Sequence, residues 1–404
     1  MQVTIAPGRA RGAVQAPPSK SMAHRLLIAA GLSRGTSTVR GVAPCEDVLA
    51  TLDCLRALGA DCRMEGDCVT VRGTDVRSAV PCEPLRCRES GSTLRFLVPI
   101  ALLTGARTRF LGAPSLLRRP MGVYETLCRE RGFLFEASEE NICVRGRLTA
   151  DTYVLPGNIS SQFITGLLFA LPLVEGDSEI CLLPPVESRS YIDLTLSALQ
   201  SFGIVAAWKN DTTLAIRGGQ TYTAREITVE GDYSNAAFLE ALGVFGGDVT
   251  VCGLVENSLQ GDCVYRAHFE ALRRGTPTIS LGDCPDLGPI LFTLAAAQNG
   301  AVFTETARLR IKESDRVACV AQELGKFGAK LSIEPDRVTV RKVPLHAPNA
   351  PLESHNDHRI AMSMAVLATR YGGTLQQAEA VAKSFPNFFE DLVALGIQVQ
   401  SNLI

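Results

Sequence analysis

The chain has 404 residues, 46% of them hydrophobic and 20% charged, with a formal net charge of -2 at pH 7. That length exceeds one ordinary core and predicts two domains of roughly 200 residues each. The near-neutral balance leaves no global positive field to recommend a nucleic-acid partner, and none is expected, so any anion site has to be local. The longest apolar runs, FLVPIALL from Phe96 and ITGLLFALPLV from Ile164, fall short of the roughly 20 residues a bilayer span needs, and the second contains Pro172. With no signal-peptide pattern ahead of QVTIAP, the sequence predicts a soluble cytoplasmic protein without a membrane partner. Thirteen cysteines without a C-x-x-C predict reduced core thiols. Among five histidines only His355 and His358 are close, with no third ligand pattern beside them, so no metal is expected.

Taken in chain order, QVTIAPG reads as a strand and PPSKSMAHR (Pro17 to Arg25) as a rigid approach to a helix whose body is LLIAAGL. Lys20 then stands at the positive end of the helix macrodipole, a poor place for a cation unless an anion is bound. In ESGSTLRFLVPIALL, Ser90, Gly91, Ser92 and Thr93 open a helix with backbone and hydroxyl donors, and Arg95 follows within one turn. Alone, that segment also reads as a capped helix with a surface arginine. SLLRRPMGVYETL places Arg118 and Arg119 before a proline-initiated helix. NISSQFITGLL puts Ser160, Ser161 and Gln162 at the head of an apolar helix, and ESRSYIDLTL puts Ser188 and Tyr191 before another.

After Glu230, GDYSNAAFLEALGVFGG reads as the helix of a fresh unit. RIKESDR leads into a helix beginning near Glu313 to Asp315, with Lys312 and Arg316 flanking its first turn; a solvated charge run fits the same letters. NDHR (Asn356 to Arg359) and AKSFPNFFEDL, containing Lys383, complete the set. Together these segments imply helix N-termini converging on anions. Neither a P-loop nor a G-x-G-x-x-G after a strand is present, which disfavours ATP and NAD and leaves small anionic substrates.

A repeat underlies these segments: an amphipathic helix, a glycine that ends it, a strand, a polar turn and a second strand. It is fullest in LDCLRALGADCRMEGDCVTVRG, ETLCRERGFLFEASEENICVRG, LSALQSFGIVAAWKNDTTLAIRG and AQELGKFGAKLSIEPDRVTVRK, with shorter copies at FEALRRGTPTISL and FEDLVALGIQVQS. The helix-ending glycines are Gly59, Gly132, Gly203, Gly275, Gly328 and Gly396. Each fits a left-handed C-cap, and the alternation after it fits a half-buried hairpin. The copies predict two similar α/β domains of three units each. If the first strand pairs with the C-terminal half, one domain comprises residues 1–18 and 229–404 and the other residues 19–228, with Lys20 beside a crossing in the cleft between them.

In this order and across nearly the whole chain, PPSKSMAHR, ESGSTLR, RRPM, SSQ, SYIDLTL, IKESDR, NDHR and KSFPNFF resemble the 5-enolpyruvylshikimate-3-phosphate synthase family. The resemblance implies an α/β fold of two domains, each three βαβαββ units packed as an inverted α/β barrel, with the active site in the interdomain cleft. It also implies a cytoplasmic, monomeric transferase of the shikimate pathway to chorismate and the aromatic amino acids, using no cofactor and inhibited by glyphosate. The reaction moves the enolpyruvyl group of phosphoenolpyruvate to the 5-hydroxyl of shikimate 3-phosphate by addition and elimination.

Carried over motif by motif, the resemblance assigns shikimate 3-phosphate to Lys20, Ser21, Arg25, Ser160, Ser161, Gln162, Ser188, Tyr191, Asp286 and Lys312. It assigns phosphoenolpyruvate to Lys20, Gly91, Arg95, Arg119, Gln162, Arg316, Arg359 and Lys383. Asp286 is the expected base, Glu313 and Lys20 the alternative acids, and His358 the group holding Glu313. Glu89 and Arg308 depart from residues common in the family and stay outside this set. Two rivals remain. The sister transferase acting on UDP-N-acetylglucosamine carries a loop cysteine that APSLLRRPM lacks, and an RNA-end binder would need a basic face and more than 6% aromatics.

Overall fold

The strand, helix, strand, helix and hairpin order is clearest between residues 152 and 216. There, Thr152–Pro156 and Ser178–Leu183 pair in parallel across the helix Ser161–Ala170, and the hairpin Ala206–Trp208 with Thr213–Ile216 adds antiparallel to the second strand. A parallel pair needs such a crossover, whereas the hairpin needs only a turn. In this computed structural model, residues 1–81 and 83–402 are described, and Cys82 lies outside them. The chain divides into two units, Met1–Pro17 with Gly231–Ile404, and Pro18–Glu230.

The unit Pro18–Glu230 holds three four-stranded sheets of this order. One is the sheet above. The second joins Leu85–Arg86, Thr108–Leu111, Asn141–Arg145 and Leu134–Ala137. The third borrows its first strand from the far end of the unit, with Glu226–Thr228 parallel to Thr36–Arg40 beside the hairpin Asp61–Glu65 and Cys68–Arg72. Alternation sets which face is covered: Val69 and Val71 are buried while Thr70 and Arg72 are exposed.

In the unit containing both termini, Thr278–Ser280, Ala301–Thr304, Arg337–Arg341 and Lys330–Glu334 repeat the order. A second sheet is Leu352–Glu353, Gly373–Gln376, Gln2–Ile5 and Val399–Asn402, so the N-terminal strand fills a hairpin position. The third repeat is reduced to two parallel strands, Arg11–Gln15 and Asp248–Cys252. Its second helix, Tyr265–Arg274, runs on to Thr278–Ser280, which opens the next sheet. The expectation for Gly275 is therefore corrected: its φ is 177°, extended backbone open to any residue, while Gly59, Gly132, Gly203, Gly328 and Gly396 have φ between 67° and 100°. The left-handed glycines precede strands that enter an antiparallel pair, whereas Thr278–Ser280 after Gly275 pairs in parallel.

The first helix of every repeat is buried on all sides: Lys20–Leu32, Gly91–Ala101 and Ser161–Ala170 in one unit, Tyr233–Val244, Gly288–Ala297 and His358–Tyr371 in the other. Apolar residues around the whole circumference put a helix inside. The second helices are amphipathic, as in Arg316–Lys326, where Val317, Val320 and Leu324 face inward. Gly166 leaves no room for a side chain beside the Arg95 carbonyl and the Tyr124 hydroxyl, so two inner helices meet at backbone distance. The described cysteines are free thiols and mostly buried, but Cys252 and Cys263 are exposed, against the expectation of core thiols throughout. Among the described residues no helix is long and apolar enough to cross a membrane.

Candidate active site

The motifs PPSKS, ESGST, SSQ and NDHR fall at the N-termini of buried first helices, and SRSY and ESDR at those of amphipathic second helices, where unsatisfied backbone N–H groups and the macrodipole favour anions. Each unit presents one cluster.

In the unit Pro18–Glu230, Ser19 caps the helix Lys20–Leu32 by accepting from the Met22 amide at 3.4 Å. Lys20, the first helical residue, donates from Nζ to Asp47 Oδ2 at 2.9 Å. Arg25 is 2% exposed and donates to the Ser21 carbonyl at 2.7 Å, to Thr195 Oγ1 at 2.9 Å and to the Tyr191 carbonyl at 3.0 Å, while lying over the Phe96 ring. Burial lowers the Arg25 guanidinium to about 10, opposed by Tyr191, so it stays charged at neutral pH.

Ser90 caps the helix Gly91–Ala101. Gly91, its first residue, has no side chain where a Cβ would stand 2.8 Å from Arg119 Nη1 and 3.7 Å from Gln162 Oε1. Arg95 donates to Gln162 Oε1 at 2.7 Å and to the Pro120 carbonyl at 3.1 Å, and Gln162 in turn donates to Ser92 Oγ at 3.0 Å. Gly91, Arg95, Arg119 and Gln162 thus form one group. Ser160 caps Ser161–Ala170, accepting from the Gln162 amide at 3.3 Å, so Ser160 and Ser161 open the same helix. Ser188 occupies the N-cap position of Arg189–Ser201 with φ 55°, a left-handed conformation that costs a non-glycine residue about 1–3 kcal/mol. Tyr191 follows in that helix's first turn and meets Arg25 through its carbonyl.

The cluster of the other unit is built from ion pairs. Asp286, in the turn Pro285–Leu287, receives Arg316 Nη1 on Oδ1 at 2.9 Å and Arg359 Nη2 on Oδ2 at 3.0 Å, with Lys312 Nζ 3.7 Å away. Arg316 is almost wholly buried and also pairs with Asp357 Oδ2 at 2.8 Å and Glu313 Oε2 at 2.7 Å. Asp357 caps the helix His358–Tyr371, accepting from the Arg359 amide at 2.9 Å, and His358 Nδ1 lies 3.9 Å from Asp357 Oδ1. Lys383 donates to the Asn356 carbonyl at 2.7 Å, which brings it to the same turn.

Burial alone would raise the Asp286 carboxyl, but Arg359, Lys312 and Arg316 together outweigh burial and Glu313 and hold it well below the usual carboxylate range. Burial likewise pushes the Lys312 ammonium down to about 8, against the attraction of Asp286 and with Arg308 and Arg316 adding repulsion. For Arg316, burial is outweighed by Asp357, Glu313 and Asp286, which hold the guanidinium charged.

One sequence expectation here is corrected. The helix begins at Arg316, capped by Asp315, whose carboxylate accepts from the Ala318 amide at 3.0 Å. Lys312 and Glu313 therefore precede the helix in a loop, because the side-chain cap fixes the start. Glu313 accepts from Arg316 Nη2 at 2.7 Å. Sequence reasoning missed Asp47, Thr195 and Asp357. Asp357 was within reach, since an aspartate ahead of a helical run is a capping signal and NDHR contains it. Asp47 and Thr195 act through long-range contacts that no local pattern announces.

Residues 5–392 match the family described as EPSP synthase (3-phosphoshikimate 1-carboxyvinyltransferase). The 3-phosphoshikimate 1-carboxyvinyltransferase of Clostridium perfringens is 37% identical over 98% of both chains, and that of Clostridioides difficile 37% over 97% of both. The EPSP synthase structure from Acinetobacter baumannii superposes with a TM-score of 0.79 at 26% identity, covering 99% of this chain and all of that one. With the motif-bearing helix starts and a family match over nearly its whole length, the chain belongs to the EPSP synthase family.

Proposed function

We infer that the protein is a 3-phosphoshikimate 1-carboxyvinyltransferase, moving the enolpyruvyl group of phosphoenolpyruvate to the 5-hydroxyl of shikimate 3-phosphate and releasing phosphate on the route to chorismate. The observation that carries the residue assignment is Asp286, a carboxylate held by three cations that the two anionic substrates would themselves engage. The family assignment does not favour UDP-N-acetylglucosamine as acceptor.

Both substrates carry a phosphate and a carboxylate, and like charges brought to ~4 Å repel strongly in a site drier than water. Arginine forks suit such oxyanions, which supports Arg119, Arg316 and Arg359 with Lys20, Arg95, Gln162, Lys383 and the Gly91 turn for phosphoenolpyruvate. Ser21, Arg25, Ser160, Ser161, Gln162, Ser188, Tyr191 and Lys312, with Lys20 and Asp286, serve shikimate 3-phosphate.

As substrate anions take over Arg316 and Arg359, Asp286 loses part of the field that depresses its proton affinity and becomes a stronger base. It accepts the 5-hydroxyl proton as that oxygen attacks C2 of phosphoenolpyruvate. C3 takes a proton from Lys20, since Glu313 is engaged as a carboxylate with Arg316. Loss of phosphate from the tetrahedral intermediate, with return of the C3 proton, regenerates the enol ether. His358 and Asp357 support the turn that carries Arg359.

The test is phosphate release from phosphoenolpyruvate by the purified protein, with shikimate 3-phosphate and separately with UDP-N-acetylglucosamine. Release that requires shikimate 3-phosphate, with the enol ether seen by mass, is the expected result. A folded protein that releases nothing with either acceptor refutes the assignment.

A further inference from the structure

His24 is one turn into the helix Lys20–Leu32 and 1% exposed, and the assignments above leave it without a role. Its Nδ1 lies 2.7 Å from Thr51 Oγ1 on the helix Glu46–Ala57. Thr51 Oγ1 is 2.7 Å from Thr93 Oγ1, and Thr93 Oγ1 donates at 2.8 Å to Ser90 Oγ, the cap of the Gly91 helix. Thr51, Thr93 and Ser90 are wholly buried. Four side chains on three segments thus form an unbroken polar chain from the Lys20 helix to the turn at Gly91.

The chain has one direction. The Thr93 hydroxyl directs its single proton to Ser90 at 2.8 Å, with the Asp47 carbonyl a more distant acceptor at 3.4 Å, so in either case it accepts from Thr51; Thr51 has then spent its own proton and accepts from His24. His24 must carry its hydrogen on Nδ1. Burial, with Lys20 and Arg25 nearby and only Asp47 opposing, lowers the imidazole to about 3, so the ring is neutral. Its Nε2 has no hydrogen-bond partner, and the ring meets Phe96 edge-on with centroids 6.5 Å apart.

A neutral histidine with one nitrogen unsatisfied is a poor choice for stability, because a buried polar atom left unpaired costs about 1–3 kcal/mol and a leucine would fill the space without that cost. What the polar chain supplies is register. Lys20 is bound to Asp47 on the helix that carries Thr51, and Thr93 Oγ1 also lies 3.4 Å from the Asp47 carbonyl. We propose that His24 is a positioning residue: through Thr51, Thr93 and Ser90 it fixes the first turn of the Gly91 helix relative to Lys20, and so sets affinity for phosphoenolpyruvate without touching it. The proposal rests on the phosphoenolpyruvate assignment of Lys20 and Gly91.

The experiment compares Thr51→Val and His24→Leu, which break the chain, with Thr51→Ser and His24→Asn, which keep a hydroxyl and an N–H in place. KM for each substrate and kcat are measured, together with hydrogen exchange of the segment 88–95 in the ligand-free protein. The breaking variants are expected to raise KM for phosphoenolpyruvate at least about fivefold, the loss of roughly one hydrogen bond, with KM for shikimate 3-phosphate and kcat within about twofold. They should also speed exchange at 88–95, while both conservative variants stay near wild type. An unchanged phosphoenolpyruvate KM in Thr51→Val, or an equal rise in both KM values, overturns the proposal, since general loosening would not discriminate between substrates. If the wild-type protein itself turns over neither substrate, the functional reading fails instead, and exchange at 88–95 no faster in Thr51→Val than in Thr51→Ser still overturns the relay.

Discussion

Replacing Gly91 by alanine adds one methyl group at a defined place. The new Cβ would stand 2.8 Å from Arg119 Nη1, whereas ordinary contacts lie at 3.4–4 Å, so the guanidinium must retreat by at least about 0.6 Å. Arg119 is the far end of a flexible side chain, so the fold tolerates the change, and alanine is the better helix former by about 0.5–1 kcal/mol. The cost falls on the ligand. A charge-assisted hydrogen bond is worth about 1.5–3 kcal/mol, so its loss or misalignment should raise KM for phosphoenolpyruvate by roughly 10- to 150-fold. Initial rates of phosphate release, varying phosphoenolpyruvate at saturating shikimate 3-phosphate, measure this, and a thermal melt checks folding. Expected are an unchanged or higher melting temperature, an unchanged KM for shikimate 3-phosphate, and weaker inhibition by glyphosate by a larger factor than for substrate. A phosphoenolpyruvate KM within about twofold of wild type would refute the Gly91 cradle, and equal weakening of inhibitor and substrate would refute the steric account.

Asp286→Ala should lower kcat at least about 100-fold with both KM values within a fewfold, because Arg316 and Arg359 stay available to substrate; collapsed affinity with surviving turnover would displace Asp286 as base. The Lys312 ammonium, pushed down to about 8, loses its charge as pH rises through that value, so KM for shikimate 3-phosphate should climb above pH ~8. Lys312→Arg should remove that inflection, and an identical pH profile in the variant would exclude Lys312 as its source. Asp357→Ala leaves the buried Arg316 without its closest shielded carboxylate and uncaps a helix, so urea denaturation should show a loss of about 3–5 kcal/mol, and a loss under about 1 kcal/mol would contradict the role given to that pair.

Much of this was legible in the letters because the signals are local. Ser19, Ser90 and Ser160 precede their helices and cap them, and alternation such as that in Cys68–Arg72 fixes the covered face of a strand. Five glycines read as left-handed caps because the strand that follows each enters an antiparallel pair, and Gly275 misled because the same helix-glycine-strand letters continue there into a parallel strand. Non-local facts stayed hidden. The strand Glu226–Thr228 has three residues and no distinctive pattern, yet it pairs with Thr36–Arg40 at the other end of its unit. Lys20 carries its need for an anion in its position, but nothing near it names Asp47 as the carboxylate that answers.

That answer bears on how the clusters work. A cation at a helix N-terminus conflicts with the macrodipole, and in both units the conflict is met by the protein's own carboxylates: Asp47 for Lys20, and Asp286, Asp357 and Glu313 for Arg316 and Arg359. These carboxylates are not equivalent. Asp357 is fully buried and tied to a helix cap, so removing it would leave the buried Arg316 Nε without its partner. Asp286 is 20% exposed on its side chain and held by side chains that bind oxyanions as readily as they bind it. An incoming phosphate or carboxylate can therefore displace Asp286 while Asp357 keeps Arg316 in place. The exchange keeps the cations compensated before and after binding, and it frees the one carboxylate assigned to take the proton. Occupancy and basicity should therefore be linked: in a complex with phosphoenolpyruvate or inorganic phosphate, Asp286 should titrate at higher pH than in the ligand-free protein. Carboxyl chemical shifts across a pH series would register the difference, and an unmoved titration would mean that substrate binds without taking over its cations.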